Sequence, residues 1–302
     1  MNYEGLDAKN DIDIINVQLI AILFNKPGKR HRSRSLLLFF VCGGYTEIGV
    51  TFMTHMLTNW TRGRRIAAGV AVRMPGERIA SAAEVTGAYT QTMRDAGLEP
   101  DNLVVGRQVH GSNVKLVGMA DTPPDLRYGG GVINGALACD GLLTTTPGVA
   151  VGVLTADCVP VLLYNSASTI VAAVHAGWRG LAAGVLQAAV TALHTQVVSP
   201  ETLHVYLGPC ICQRCFETGP EVADAFIAGL GIEAKRCIAP GAGDRTYVDL
   251  RGLAVEILQR VGVPARKITQ SPDCTACRSD LYWSHRKHDL RRGNQLTFIA
   301  LV

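Results

Sequence analysis

The chain has 302 residues, 48% of them hydrophobic, and a formal net charge of +4. That charge is confined to residues 1–65, where nine Lys/Arg face five Asp/Glu; beyond them 20 basic and 20 acidic residues cancel, which removes the bulk electrostatic case for nucleic-acid binding. No apolar run reaches the length of a membrane span, and nine cysteines without framework spacing favour reduced thiols and a cytoplasmic setting.

Residues 1–60 show no clean periodicity and are read as an N-terminal extension, with the domain proper over 61–302. Lys29-Arg30-His31-Arg32-Ser33-Arg34 followed by an apolar run to Val41 imitates a signal peptide, but it lies behind a mixed segment holding four acids. The expected reading is a non-essential leader or a start codon placed too early, with Met53 and Met56 as candidate starts; a peripheral membrane or targeting patch is the rival reading. Ile66–Val72 reads as a strand. Ser81-Ala82-Ala83-Glu84 has the spacing of a capping box and opens a helix that ends near Gly97. Asn102–Val105 is a short strand leading into Gln108-Val109-His110-Gly111, and Asn113–Val117 is another. Residues 120–136, rich in Pro, Gly and Asp, read as a surface loop. Val149–Leu154 is a strand that runs into Thr155-Ala156-Asp157-Cys158.

Two apolar runs follow, Val159–Tyr164 and Thr169–Val174, around the polar turn Asn165-Ser166-Ala167-Ser168. They form a β-hairpin with little polar alternation, so both faces should be buried and the hairpin central. Pairing Asn165 with Ser168 makes Cys158 and His175 direct cross-strand neighbours. A one-residue slip would send them to opposite faces. Gly177-Trp178-Arg179-Gly180 then opens a helical run, with a packed helix over Leu181–Leu193 and an N-terminus near the same place. Thr202–Leu207 is a strand, followed by a loop with Cys210, Cys212 and Cys215, a helix from Pro220 to about Leu230, a helix over Leu250–Val261, and strands at Lys267–Gln270 and Gln295–Leu301. Strands outnumber helices and include hairpins, which gives α+β with mixed β-sheets.

Cys158 and His175 suit two chemistries. As metal ligands they need a third donor, and His110, in its turn-like tetrapeptide, is the best candidate. Two nitrogens and one sulfur around Zn²⁺ leave a fourth position free, as catalytic zinc sites do. Alternatively Cys158 is a nucleophile and His175 its base. A buried thiol beside a hydrogen-bonded histidine is the ordinary explanation, and spacing alone leaves all three open. Asp157 is placed to orient a ligand histidine or to cap a turn. Arg179 suits an anion or a solvated ion pair, and Trp178 a stacked base or the core.

Cys274-Thr275-Ala276-Cys277 is a C-x-x-C pair, and a structural zinc shared with Cys210, Cys212 and Cys215 is one reading of it. His285 and His288 read as a solvated face. There is no P-loop, no G-x-S-x-G elbow, no dinucleotide-binding glycine motif and no base-deaminase signature. No H-x-H pair occurs among the eight histidines, against a multi-copper cluster. A lone His₂Cys set could still be a blue copper centre, but no methionine is placed as an axial ligand.

Taken together, Q-V-H-G at 108–111, C-D-G-L-L-T-T-T-P-G-V-A-V-G-V-L-T-A-D-C-V-P-V-L-L at 139–163 and V-H-A-G-W-R-G at 174–180 resemble the YfiH/PgeF family, the laccase-domain or polyphenol-oxidase-like proteins. G-P-C-I-C-Q-R-C-F-E-T-G at 208–219 and C-T-A-C…Y-W-S-H-R at 274–286 match more loosely. The family's S-L-N…H-V-G-D segment has no counterpart between 66 and 107, and Gly293-Asn294 stands where the family has Gly-Arg. The resemblance implies a single-domain layered α/β sandwich with zinc, or copper as the alternative metal, on His110, Cys158 and His175. It implies phosphorolysis of adenosine, inosine, guanosine and methylthioadenosine, with adenosine deaminase side activity. Its partners would be purine nucleosides and phosphate. Arg179 would then stabilise the anion, Asp157 would orient a ligand, and Gln108 and Trp178 would contact substrate. The rival activity is a Cys158-dependent amidase editing peptidoglycan precursors, and a third reading is a zinc-stabilised interaction module.

Overall fold

The computed structural model describes residues 17–18, 41–42, 52–73, 82–121, 137–288 and 293–302. The chain forms two units, Met1–Gly49 and Val50–Val302. In the first, Val17–Gln18 pairs antiparallel with Val41–Cys42. The signal-like stretch at 29–41 falls almost wholly outside the described residues, as do Ser81 of the capping box and most of the loop at 120–136.

The second unit is built on two mixed sheets. One has five strands, in the order β1 (Phe52–Met56), β2 (Ile66–Arg73), β14 (Gln295–Leu301), β6 (Ala150–Thr155), β3 (Leu103–Val105). The other has six, in the order β13 (Ile268–Gln270), β9 (Leu203–Leu207), β7 (Val159–Asn165), β8 (Val171–Ala176), β5 (Gly141–Thr144), β4 (Val114–Leu116). A small third sheet joins β10 (Glu217–Thr218), β12 (Thr246–Val248) and β11 (Ile238–Pro240). Strand β1 lies within the segment read above as extension.

Alternation along the strands assigns three apolar layers. Val161 and Leu163 of β7 pack with Val174 of β8 against helices α3 (Val185–Thr195), α4 (Pro220–Leu230) and α5 (Leu250–Arg260). Leu162 and Tyr164, on the opposite face of β7, meet Val70, Val151 and Ile299 of the five-stranded sheet. The far face of that sheet holds Leu296 and Phe298 against Tyr89 and Met93 of α1 (Ala82–Asp95). The result is the expected layered sandwich, and β7 and β8 are buried on both faces because a sheet covers one side and helices the other.

Two expectations need correction. The hairpin register is displaced by two residues: Val171 faces Tyr164, so His175 faces Pro160 rather than Cys158. The cause is a longer loop. Asn165 Oδ1 accepts the main-chain N–H of Thr169 (2.9 Å) and Ile170 (3.3 Å), and Ser168 takes φ 55°, so the connection closes over residues 166–170. Because the slip is two residues and not one, Cys158 and His175 stay on the same face and become diagonal neighbours. The helix expected over Leu181–Leu193 is two helices, α2 (Trp178–Ala182) and α3, broken at Gly184 with φ 86°.

The six-stranded sheet determines where the chemistry collects. β4 and β5 run parallel, β8 runs against β5, and β7 runs against β8. The chain entering β4, β5 and β7 and the chain leaving β8 therefore all lie at one end of the sheet. These stretches carry His110, Asp140, Cys158 and His175.

Candidate metal centre and its surroundings

The donor atoms of His110, Cys158 and His175 lie within 4.8 Å of one another. His175, the last-but-one residue of β8, is buried. Cys158 sits half-buried between β6 and β7, and His110 is exposed in the β3–β4 connection. The rings of His110 and His175 meet edge to face, with centroids 4.8 Å apart. The register explains the vacancy beside the thiol. Continued one step beyond Val159–Ala176, it brings Cys158 level with Gly177. A Cβ on Gly177 would stand 2.9 Å from Cys158 Sγ and 3.1 Å from His110 Cδ2. Glycine is what leaves the space where three donors converge.

Asp140 organises the cluster, and the sequence reasoning missed it. Its Oδ1 accepts a bond from His175 Nδ1 at 2.8 Å. The same carboxylate gathers the main-chain N–H groups of Val109 (3.2 Å), His110 (2.9 Å) and Gly111 (2.7 Å), so one buried acid fixes both the ring of one donor and the loop of another. This nest holds His110 at φ 58°, outside the usual range for a side chain with a Cβ. Because Nδ1 is committed to Asp140, Nε2 of His175 is the nitrogen left to face Cys158. Burial alone would raise the carboxyl pKa of Asp140, but the bond to His175, the charge of that ring and the amides of Gly111 and His110 hold it below the usual value. A signal was present in the sequence: an acid with no counter-charge beside it, wedged between Cys139 and the apolar strand β5.

Cys158 and His175 shift together. Burial pushes the Cys158 thiol up, but the charge of His175 and hydrogen bonds from both histidines outweigh it and pull the thiol down. Burial likewise opposes a charged His175, and the Cys158 thiolate and Asp140 overcome it, raising the imidazole. The site therefore favours thiolate sulfur, the form that binds metal and attacks carbon.

The other expected site residues divide. Asp157 does not reach either ring. Its Oδ1 accepts Thr275 Oγ1 at 2.6 Å and its Oδ2 accepts the Arg286 amide at 2.8 Å, and it takes φ 92°. It anchors the 271–288 segment beside Cys158, while Asp140 makes the bond to histidine that had been expected of Asp157. Gln108 donates to Leu154 O (2.7 Å) and accepts from Leu154 N (2.8 Å), bracing the His110 loop against β6 rather than presenting its amide to a ligand. Arg179 is exposed and lies over the Trp178 ring at 4.3 Å, two residues beyond Gly177 in the first turn of α2. Trp178 is half-buried and packs on the helical core. His285 and His288 form a short helical turn in which His288 Nδ1 accepts the Ser284 amide at 3.1 Å.

No helix among the described residues is long and apolar enough to cross a membrane. Residues 78–302 match the family model described as multi-copper polyphenol oxidoreductase laccase. The chain is 34% identical over 204 residues to adenosine deaminase RL5 from an unknown prokaryotic organism, covering 67% of this chain and 76% of that one. It is 38% identical over 211 residues to purine nucleoside phosphorylase YfiH of Escherichia coli, covering 68% and 77%. The fold matches the crystal structure of Bacillus licheniformis hypothetical protein YfiH with a TM-score of 0.72 at 23% identity, over 84% of this chain and 97% of that one.

Proposed function

The chain belongs to the multi-copper polyphenol oxidoreductase laccase family, and from its named relatives and its own donor set we propose that it is a zinc-dependent purine nucleoside phosphorylase with adenosine deaminase side activity. The observation that carries the reading is the convergence of two imidazoles and one thiol within 4.8 Å, with Asp140 bonded to the outer nitrogen of His175. That donor set suits zinc: borderline-soft, four-coordinate and satisfied by nitrogen and sulfur, with three protein ligands leaving a position for substrate. Among the described residues the only other candidate metal group is made of cysteines, which does not supply the histidines of a trinuclear copper cluster.

His110, Cys158 and His175 would hold the ion, which when bound supplies Lewis acidity toward phosphate or water. The protein's own groups then divide the remaining work. Asp140 keeps the His175 lone pair at Nε2 directed inward and holds the His110 loop closed around it. Arg179 offers an exposed guanidinium for the phosphate anion, steadied by the Trp178 ring. Gly177 leaves the floor of the site open to a ligand. Phosphorolysis joins phosphate to the ribose anomeric carbon as the purine leaves with the glycosidic electron pair; deamination replaces the purine amino group by water, releasing ammonia.

Metal-loaded protein incubated with adenosine and phosphate, resolved by chromatography, should give adenine with ribose-1-phosphate, and inosine without phosphate. A fully metallated sample that forms neither adenine with ribose-1-phosphate nor inosine would contradict the reading. One arrangement favours a second activity: Cys158, His175 and Asp140 stand in the order of nucleophile, base and orienting acid. An amidase on peptidoglycan precursors would remain active without metal and be abolished by thiol alkylation, whereas the phosphorylase would be lost to a chelator.

A further inference from the structure

The four thiols of Cys212, Cys215, Cys274 and Cys277 lie within 4.8 Å of one another and share no residue with the His110, Cys158 and His175 group. They come from two C-x-x-C turns far apart in the chain, one after β9 and one before β14. Cys212 Sγ and Cys215 Sγ stand 3.9 Å and 3.5 Å from Cys277 Sγ. Sulfurs in a disulfide are about 2.05 Å apart, whereas four thiolates at about 2.3 Å from a tetrahedral zinc are about 3.8 Å from one another. Cys274 Sγ also accepts two main-chain N–H groups, from Cys212 at 3.2 Å and from Cys277 at 3.4 Å. Amides aimed at sulfur offset the charge that thiolates accumulate around a cation.

We infer that these four cysteines bind a second zinc ion, as a closed tetrathiolate with no free coordination position. Cys210, which the sequence placed in the same cluster, is excluded: its sulfur accepts bonds from Arg251 Nε (3.4 Å) and Nη2 (3.2 Å) instead. The ion acts as a staple, and what it fastens is specific. Thr275, inside the second turn, donates to Asp157 Oδ1, and Ile211, beside the first, donates its amide to Asp157 O at 3.0 Å. Both halves of the tetrathiolate thus hold the residue preceding Cys158. Binding displaces the thiol protons and changes no oxidation state. The inference depends on these thiols alone and stands whether or not the activity proposed above is found.

The test is zinc content by elemental analysis on full-length protein purified under reducing conditions. The wild type should carry two equivalents. A Cys158→Ser/His175→Ala variant should keep one, and that one, exchanged for Co²⁺, should show sulfur-to-cobalt charge transfer and the visible bands of a tetrahedral tetrathiolate. A Cys212→Ser/Cys277→Ser variant should lose one equivalent and melt at a lower temperature. If that variant does not fold, the cobalt spectrum of the first decides alone. A folded Cys158→Ser/His175→Ala protein without zinc or cobalt bands overturns the inference, as does a disulfide between any two of the four cysteines in wild type mapped without reductant.

Discussion

Asp140 accepts hydrogen bonds from the ring of His175 and from three successive amides around His110, so removing its charge strikes two of the proposed metal donors at once. Asp140→Asn should weaken zinc binding at His110, Cys158 and His175 by about 10–100-fold, measured by competition with a chromophoric chelator, while near-ultraviolet circular dichroism stays native. The acid limb of stability carries the same residue. Its folded pKa lies below the ordinary 3.8, so around that pH the unfolded chain binds more protons than the folded one, and stability rises with pH. The contribution is complete above the unfolded value and is lost as pH falls through the folded one. Urea midpoints of metal-free protein should fall more steeply on acidification below pH about 4 for wild type than for Asp140→Asn; equal slopes would remove Asp140 from this role. The sequence exposed the three donors because thiol and imidazole are few and distinctive. It concealed Asp140 because an acid becomes informative only through its neighbours, here a ring 35 positions away and a loop 29–31 positions away.

The hairpin β7–β8 and the helix after it position the donors, and both were partly legible. Two unbroken apolar runs identified buried strands, and the face shared by Cys158 and His175 survived a register displaced by two, since side chains repeat every second residue. The displacement itself came from Asn165, whose side chain folds the loop onto its own amides, an option that residue type permits but does not dictate. The break between α2 and α3 was signalled by Gly184 within a helical pattern. Two substitutions test these elements. Gly177→Ala places a methyl 2.9 Å from Cys158 Sγ, so activity and zinc at this site should drop at least tenfold while the melting temperature changes little. Gly184→Ala forces a left-handed φ of 86° on an L side chain and should cost roughly 1–2 kcal/mol in chemical denaturation without changing metal content. A loss of metal there would mean α2 and the site are coupled in a way the contacts do not reveal.

Across Val50–Val302, the sandwich places the site at one end of the six-stranded sheet, where chain segments from four strands meet. The large elements could be read from apolar content, since β7, β8 and β14 have no exposed residue. The small sheet of β10, β11 and β12 could not, because two- and three-residue strands carry too little pattern to separate from loops. Leu162 lies between the two sheets with no exposed surface, and Leu162→Ala should destabilise the unit by about 2–5 kcal/mol, read in urea, with zinc stoichiometry unchanged at 25 °C.

Crystals of the zinc-containing protein, measured on both sides of the zinc absorption edge, address the central claim without reference to any substrate. An anomalous peak should lie between Cys158 Sγ, His175 Nε2 and a ring nitrogen of His110, within coordination distance of all three. Zinc-loaded crystals with no peak there, or with one touching fewer than three of these atoms, would contradict it.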